Sequence, residues 1–548
     1  HPDAIIAIAA SEDVGRLTNE IFGDDLFVLP WKRPGFELGL MLRDGILANP
    51  TAKGAMMAGH GLICWADTWE ECYALTLSLI DRAQAFIDSI GLKKPFGEAI
   101  RPREAPEFRS RLLELLPRLR GKVAFEGKKL LAHVDSSESV LEFLASEKLE
   151  SLAYLGTSCP DHFLRTKIRP LVLDEDDDLD TALTEFREGY AAYYERCKSA
   201  DSPAMRNPNP SVVLVPGCGM ISFGKTAAEA RITGEFYRNA INVMRGAEAV
   251  SQYRALAEQE AFNIEYWALE EAKLRRQPPE AELSRSVAVI TGGAQGIGRA
   301  TALKLAARGA CVALLDLNEE KLSATVEELR GQFGADAVQG FRCDVTKVSS
   351  LAEAFDQTVL AFGGIDIVVV NAGNARRGTI VDTSEADYKF LSDLLMKGYW
   401  DTMALATRLL LSQGMGGSIV VVGSKNGVAV GSNAALYSAT KAFELHLMRT
   451  VALDFAKEGI RCNAVNPDGV VQGSGIWSDA WREQTAKSLG IEPDQLVEHY
   501  RKRSLLGRSV TPDDVAEAIA WLASEERSSR TTGCVLPVDG GNREGLLR

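Results

Sequence analysis

Residues 289–301 read VITGGAQGIGRAT, and three of its four glycines (Gly292, Gly296 and Gly298) have glycine-motif spacing between an apolar strand-like run and the start of a helix. Glycines there let the backbone turn sharply and approach a pyrophosphate, while the helix N-terminus offers free N–H groups and a partial positive charge. Gln295 and Ile297 sit in the same turn. The next strand-like segment ends in LLDLN, with Asp316 at its tip and Leu317 beside it. A carboxylate at that tip holds an adenosine ribose diol and repels a 2′-phosphate, and the next cation along the chain is Lys321. The pattern predicts a dinucleotide site that takes NAD in preference to NADP. A tight turn and a surface aspartate are the plain alternatives.

Outward from this turn, apolar strands alternate with amphipathic helices: VAVITGG, CVALLDL, AVQGFRC, IDIVVVNAG, SIVVVGS, IRCNAVNP and CVLPVDGG. That rhythm specifies an α/β fold with a Rossmann-type, doubly wound parallel sheet. Upstream, a charged helix over Glu258–Arg276 runs into Pro278-Pro279, which stops a helix and stiffens a connector. A weaker break falls at Ile90–Pro95. The chain is therefore expected to divide into an α/β segment over 1–92, an α/β linking region over 93–282 and the Rossmann domain over 283–548.

With 548 residues and a net charge of −14, the chain is too long for one core and too acidic for a nucleic-acid or anionic-membrane surface. The acidic run DEDDDLD (Asp174–Asp180) reads as a solvated loop or helix entry. No apolar run reaches the length of a transmembrane helix. Nine scattered cysteines, none in a Cys-x-x-Cys pair, point to reduced thiols and a cytoplasmic setting.

YSATK places Tyr437 and Lys441 four apart, on one helix face. A free phenol has a pKa of about 10; an adjacent ammonium stabilises the phenolate and makes Tyr437 a usable acid/base. Ser424 ends the strand SIVVVGS, where its hydroxyl can hold a carbonyl oxygen. With TGGAQGIG, CDVT, NAG, YSATK, NPDGVV and PVDGG in this order, residues 285–542 resemble the short-chain dehydrogenase/reductase family. The resemblance implies that Asp344 and Val345 read the adenine edge and that Asn371, Ala372 and Gly373 line the cofactor, Asn371 also steadying the sheet. It further implies that Ser424 polarises the substrate, Tyr437 moves the proton, and Lys441 binds ribose and tunes Tyr437. Pro467 and Val470 would flank the nicotinamide, and Gly473 to about Leu506 would form a substrate lid. Trp477, Trp481 and the Arg501–Arg503 cluster would suit an anionic or hydroxylated ligand, or simply form a solvated helix face.

Two departures stand out. The family's asparagine on the helix after NAG is here Leu395, so either Lys397 or a backbone carbonyl takes over the proton relay, or turnover is impaired. The usual NPG is NPD, which puts Asp468 near the carboxamide end.

Six histidines occur, and His60 lies in KGAMMAGHGLICWADTWEECY. A packed core histidine is the plain reading. The pattern resembles the class II aldolase/adducin family, in which His-x-His-Pro and a later His-Gly give three imidazoles to a zinc-type ion acting as a Lewis acid on a ketose-phosphate carbonyl. On that resemblance His1 and His60 are metal ligands and HPDAIIAIAA is a buried strand or helix. The chain is then expected to start inside a domain whose first histidine, acidic residue and phosphate-binding segment lie upstream. SCPDHFLRTKIRP, NPSVVLVPGCGM and GEFYRNAINVMRGAEAV extend the likeness to bacterial bifunctional rhamnulose-1-phosphate aldolase/short-chain dehydrogenases, over His1 to Arg548. This implies cleavage of a deoxyketose phosphate to dihydroxyacetone phosphate and lactaldehyde, an NAD-dependent step on the aldehyde or a related alcohol, small-molecule substrates, and a homo-oligomer (dimer or tetramer). His162 and Arg165 bind an anion or serve structure. An oxidoreductase with a silent aldolase half and a non-enzymatic NAD sensor stay open as alternatives.

Overall fold

The protein is described by a computed structural model covering all residues except 91, 106, 277, 471–478 and 546–548. It divides into two compact units: residues 1–112, 133–224 and 229–278 form one, and 113–132, 225–228 and 279–548 the other.

The second unit is built on a seven-stranded sheet. Its strands are Val287–Thr291, Cys311–Asp316, Val338–Arg342, Ile367–Val370, Gly417–Val422, Ile460–Pro467 and Val535–Val538. Each of the seven segments expected from hydrophobic pattern is a strand, and all neighbours pair in parallel. Numbered within this sheet, the order is 3-2-1-4-5-6-7. Strands such as IVVV and VAVIT are buried along their whole length because helices cover both faces, which is why they read as unbroken apolar runs rather than alternating ones. The order reverses between strands one and four, and there the carboxyl ends leave a crevice.

A segment remote in sequence completes this unit. Arg120, on the helix Phe108–Lys122, is fully buried and reaches Asp366 just before strand four: Nη2–Oδ2 is 2.7 Å. Lys129 Nζ stands 2.9 Å from Asp366 Oδ1, and the Val287 N–H donates to Oδ2 at 2.8 Å. Burial alone would raise the Asp366 carboxyl, but the two cations outweigh it and hold the group well below the usual carboxylate range.

In the first unit HPDAIIAIAA forms a helix, Asp3–Ala9, with Ile5, Ile6 and Ile8 wholly buried. Leu26–Leu29 and Gly54–Met57 pair in parallel, and Gly54–Met57 turns through His60 into the antiparallel strand Gly61–Cys64. The long helix Trp69–Ile90 follows. A second sheet has four strands in the order Leu131–Asp135, Gly219–Gly224, Val212–Val215, Leu171–Val172. The single charged helix expected over 258–276 is instead two, Glu258–Glu265 and Ala268–Arg275. The break serves packing: Tyr266 turns inward, its ring stacked 4.6 Å from Phe262 and its hydroxyl 2.7 Å from that of Tyr190.

Candidate active sites

In the second unit a cleft of about 680 Å³ opens at the crevice. Gly292 (φ +66°) and Gly296 (φ +55°) adopt left-handed conformations that favour glycine. A Cβ on Gly292 would stand 2.9 Å from Ala372 Cα, and one on Gly298 would stand 2.0 Å from the Gly292 carbonyl oxygen. Gly292, Gln295, Gly296 and Ile297 wall the cleft; Gly298 does not, and instead seats the helix Gly296–Ala307 against the turn. Asp316 and Leu317 lie on the wall with Asp344 and Val345. Asp316 is fixed by backbone donors, Ala294 N–H to Oδ2 at 3.0 Å and Asn318 N–H to Oδ1 at 2.9 Å. Lys321 is engaged with Gln295, Nζ to Oε1 at 2.7 Å. Asn371 Nδ2 donates to the carbonyls of Thr291 (2.9 Å) and Gly292 (3.0 Å), tying strand four to the glycine turn; Ala372 and Gly373 continue the wall. A bare glycine turn under a helix N-terminus and a fixed carboxylate at the next strand's tip fit a dinucleotide.

Ser424, Tyr437, Lys441, Pro467, Asp468 and Val470 line the same cleft. Tyr437 is half-buried and Lys441 buried, with Lys441 Nζ 5.9 Å from the Tyr437 ring centre. Lys441 donates to Val422 O (3.1 Å), to Tyr399 Oη (3.4 Å) and to Glu444 Oε2 (2.9 Å). Glu444 is wholly buried, and its Oε1 has no hydrogen-bond partner. Burial pushes the Glu444 carboxyl up to about 8 against the pull of Lys441. Burial would lower Lys441, but the Glu444 carboxylate leads a set of opposing groups that raise it above its usual value.

Leu395 is buried in a π-helical turn, Ser392–Lys397, and offers no polar group. Lys397 does not replace the missing asparagine, since it pairs with Asp401 along its own helix. A backbone carbonyl, Val422 O, does meet Lys441. Glu444 escaped the sequence reading although its spacing, three residues beyond Lys441, puts it on the same helix face. Asp468 accepts a hydrogen bond from Asn542 Nδ2 at 2.5 Å. Tyr500 and Arg377 also line this end. Trp477 and the first part of the expected lid lie outside the described residues, as does the side chain of Trp481. Arg501 pairs with Glu498 and Arg503 with Glu544, and neither lines the cleft.

In the first unit the rings of His1 and His60 lie 5.0 Å apart. His1 Nδ1 is 2.9 Å from Asp161 Oδ2, and this bond, seconded by Cys159, raises the imidazole to about 10. Burial, then the charge of His1, lowers His60 to about 4, and its Nδ1 has no partner. His1, Cys159 and Asp161 offer ligand atoms all within 4.8 Å of one another. Nitrogen, sulfur and oxygen donors in one place suit a zinc-type ion. Cys159 and Asp161 were missed because nothing local in SCPDHFLRTKIRP ties them to residue 1. His162 is buried edge-on to Phe236 at 5.4 Å and Arg165 lies over the same ring, which is a packing arrangement.

Three family models match the chain: "Class II Aldolase and Adducin N-terminal domain" over residues 1–87, "Aldolase class II, second domain" over 110–274, and "Enoyl-(Acyl carrier protein) reductase" over 292–543. The uncharacterized oxidoreductase YuxG of Bacillus subtilis (strain 168) is 41% identical over 553 residues, a match covering 99% of this chain and 80% of YuxG. The chain belongs to the family that fuses class II aldolase/adducin domains to a short-chain dehydrogenase/reductase domain. The dehydrogenase half of this fusion protein is also 35% identical over 261 residues to 4-formylbenzenesulfonate dehydrogenase TsaC1/TsaC2 of Comamonas testosteroni, which covers 47% of the chain and 98% of that relative. Among solved structures, sorbitol-6-phosphate 2-dehydrogenase SrlD from Erwinia amylovora matches 46% of the fusion protein and 98% of its own chain, at 27% identity and a TM-score of 0.45. No described helix of the fusion protein is long and apolar enough to cross a membrane.

Proposed function

We propose that the fusion protein is a bifunctional enzyme of deoxysugar breakdown. Its second unit is an NAD-dependent oxidoreductase acting on a small hydroxyaldehyde, sugar or polyol. Its first unit is a metal-dependent aldolase of the rhamnulose-1-phosphate type, yielding dihydroxyacetone phosphate and lactaldehyde. The observation that carries the reading is the placement of Ser424, Tyr437 and Lys441 in one cleft with the glycine turn and Asp316.

A nicotinamide bound in this cleft supplies or takes up the hydride. Ser424 holds the substrate oxygen, and the Tyr437 phenolate takes the hydroxyl proton as the substrate is oxidised, or returns it on reduction. Lys441 stabilises that phenolate through its charge, and Asp316 receives the ribose diol. The relative named for 4-formylbenzenesulfonate supports an aldehyde-level substrate. His1 and His60 would hold a divalent ion, which supplies Lewis acidity toward a ketose carbonyl. A cytoplasmic homo-oligomer, dimer or tetramer, belongs to the same reading.

Initial rates of NAD reduction are to be measured against lactaldehyde and a panel of polyols, with dihydroxyacetone phosphate release followed separately. Tyr437→Phe is expected to lower kcat by about 10²-fold or more while dinucleotide binding persists. Undiminished turnover in that variant overturns the mechanism. Dinucleotide binding without turnover on any substrate favours the sensor reading.

A further inference from the structure

We propose that the metal centre of the first unit takes two of its ligands, Cys159 and Asp161, from the second aldolase domain, where they stand with His1, itself beside the His60 ring. The inference rests on reading that unit as metal-dependent and extends its ligand set beyond imidazoles.

The first observation is proximity. The His1, Cys159 and Asp161 donors fall within 4.8 Å of one another although some 160 residues separate them along the chain. Donors about 2.0–2.3 Å from a common tetrahedral ion lie roughly 3.5 Å apart, so small side-chain movements close the set. The second is local geometry. Cys159 is extended, Pro160 opens the single turn Pro160–His162, and a rigid proline between the two donors leaves both beside the same imidazole. The third is His60. The residue is 8% exposed, its ring lies 5.0 Å from that of His1, and its Nδ1 lacks a hydrogen-bond partner. A buried ring nitrogen left unsatisfied next to one member of that donor set fits an unmet ligand interaction. Close approach is built in, since a Cβ on Gly61 would meet His1 Cδ2 at 3.0 Å. Finally, the Asp161 side chain stays 62% exposed, so the site faces solvent on the carboxylate side, and the carboxylate is the ligand that an incoming oxygen can reach. Imidazole, thiolate and carboxylate together select a zinc-type ion over magnesium or calcium. The N-terminal aldolase domain would then not hold its ion alone.

The test uses the full chain, stripped with a chelator and titrated with cobalt(II), then with zinc. The expected parent spectrum has a thiolate-to-cobalt charge-transfer band in the near ultraviolet and the strong d–d absorption of a four-coordinate ion. Cys159→Ser should abolish the first band, and Asp161→Asn should weaken zinc binding at least tenfold. Circular dichroism and thermal midpoints of the metal-free variants, matching the parent, separate ligand loss from misfolding. If the parent binds cobalt while Cys159→Ser keeps the charge-transfer band and Asp161→Asn keeps parental affinity, the proposal falls and the metal-dependent reading survives. If the parent binds no ion, both fall.

Discussion

Lys441 serves three acceptors at once, and the strongest of them is a carboxylate on its own helix. When ionised, that carboxylate offsets the ammonium charge that stands 5.9 Å from the Tyr437 ring centre. The groups around the pair are Tyr399 and Glu444 on the buried side, with Tyr500 across the cleft and Asp468, Arg377 and Arg503 about it. Burial holds Glu444 up to about 8, so above that pH Glu444→Gln removes a negative charge 2.9 Å from the ammonium. The pH profile of kcat/KM for alcohol oxidation should shift to lower pH by about one unit, and an unmoved profile would mean that Glu444 serves packing alone. At the other end of the cleft, the proposed NAD preference predicts that Asp316→Ala, by removing a charge that would repel a 2′-phosphate, shifts the KM ratio toward NADP at least tenfold. Much at this scale was legible, because Tyr437, Lys441, Ser424 and Asp316 declare themselves by local spacing. Glu444 was less so, as a lone acid in AFELHLMRT looks like a solvated helix face. Asp161 and Cys159 were not legible at all, since only the fold brings them to His1.

The glycine turn shows how an element can be tuned at single carbons. A Cβ at Gly298 would collide with the Gly292 carbonyl, whereas one at Gly331, in the helix Glu319–Phe333, would meet nothing within 4 Å. Gly298→Ala should therefore destabilise the protein by about 1–3 kcal/mol and loosen dinucleotide binding, while Gly331→Ala should stabilise it by roughly 0.5–1 kcal/mol. Urea unfolding of the two variants beside the parent decides this. Strands read clearly from sequence here because the sheet is buried on both faces and its β-branched runs are continuous. The break at Tyr266 did not, because the charged periodicity of 258–276 is helical throughout and the interruption comes from Phe262 and Tyr190, contacts made only after folding.

On the scale of the whole molecule, the second unit is not a contiguous stretch of chain. Arg120 and Lys129 answer the buried Asp366, and removing one partner of such a pair leaves an uncompensated charge. Arg120→Ala is expected to lower stability by about 3–5 kcal/mol, read by denaturant unfolding at neutral pH. Because Asp366 is held below its ordinary pKa of about 3.9, this contribution is complete above that pH and is lost as pH falls toward the folded value. No local pattern in LLPRLRGK announces the role of Arg120, which looks like one basic residue among several.

The interleaving also orders events during synthesis. Residues 113–132 leave the ribosome long before Asp366 or the strand Val287–Thr291 exists, so Arg120 waits, hydrated, for a counter-charge made some 240 residues later. A gene cut at the junction near residue 279 would strand that counter-charge in the wrong product. Exchange of the dehydrogenase half by recombination succeeds only with an incoming acid that meets the same guanidinium.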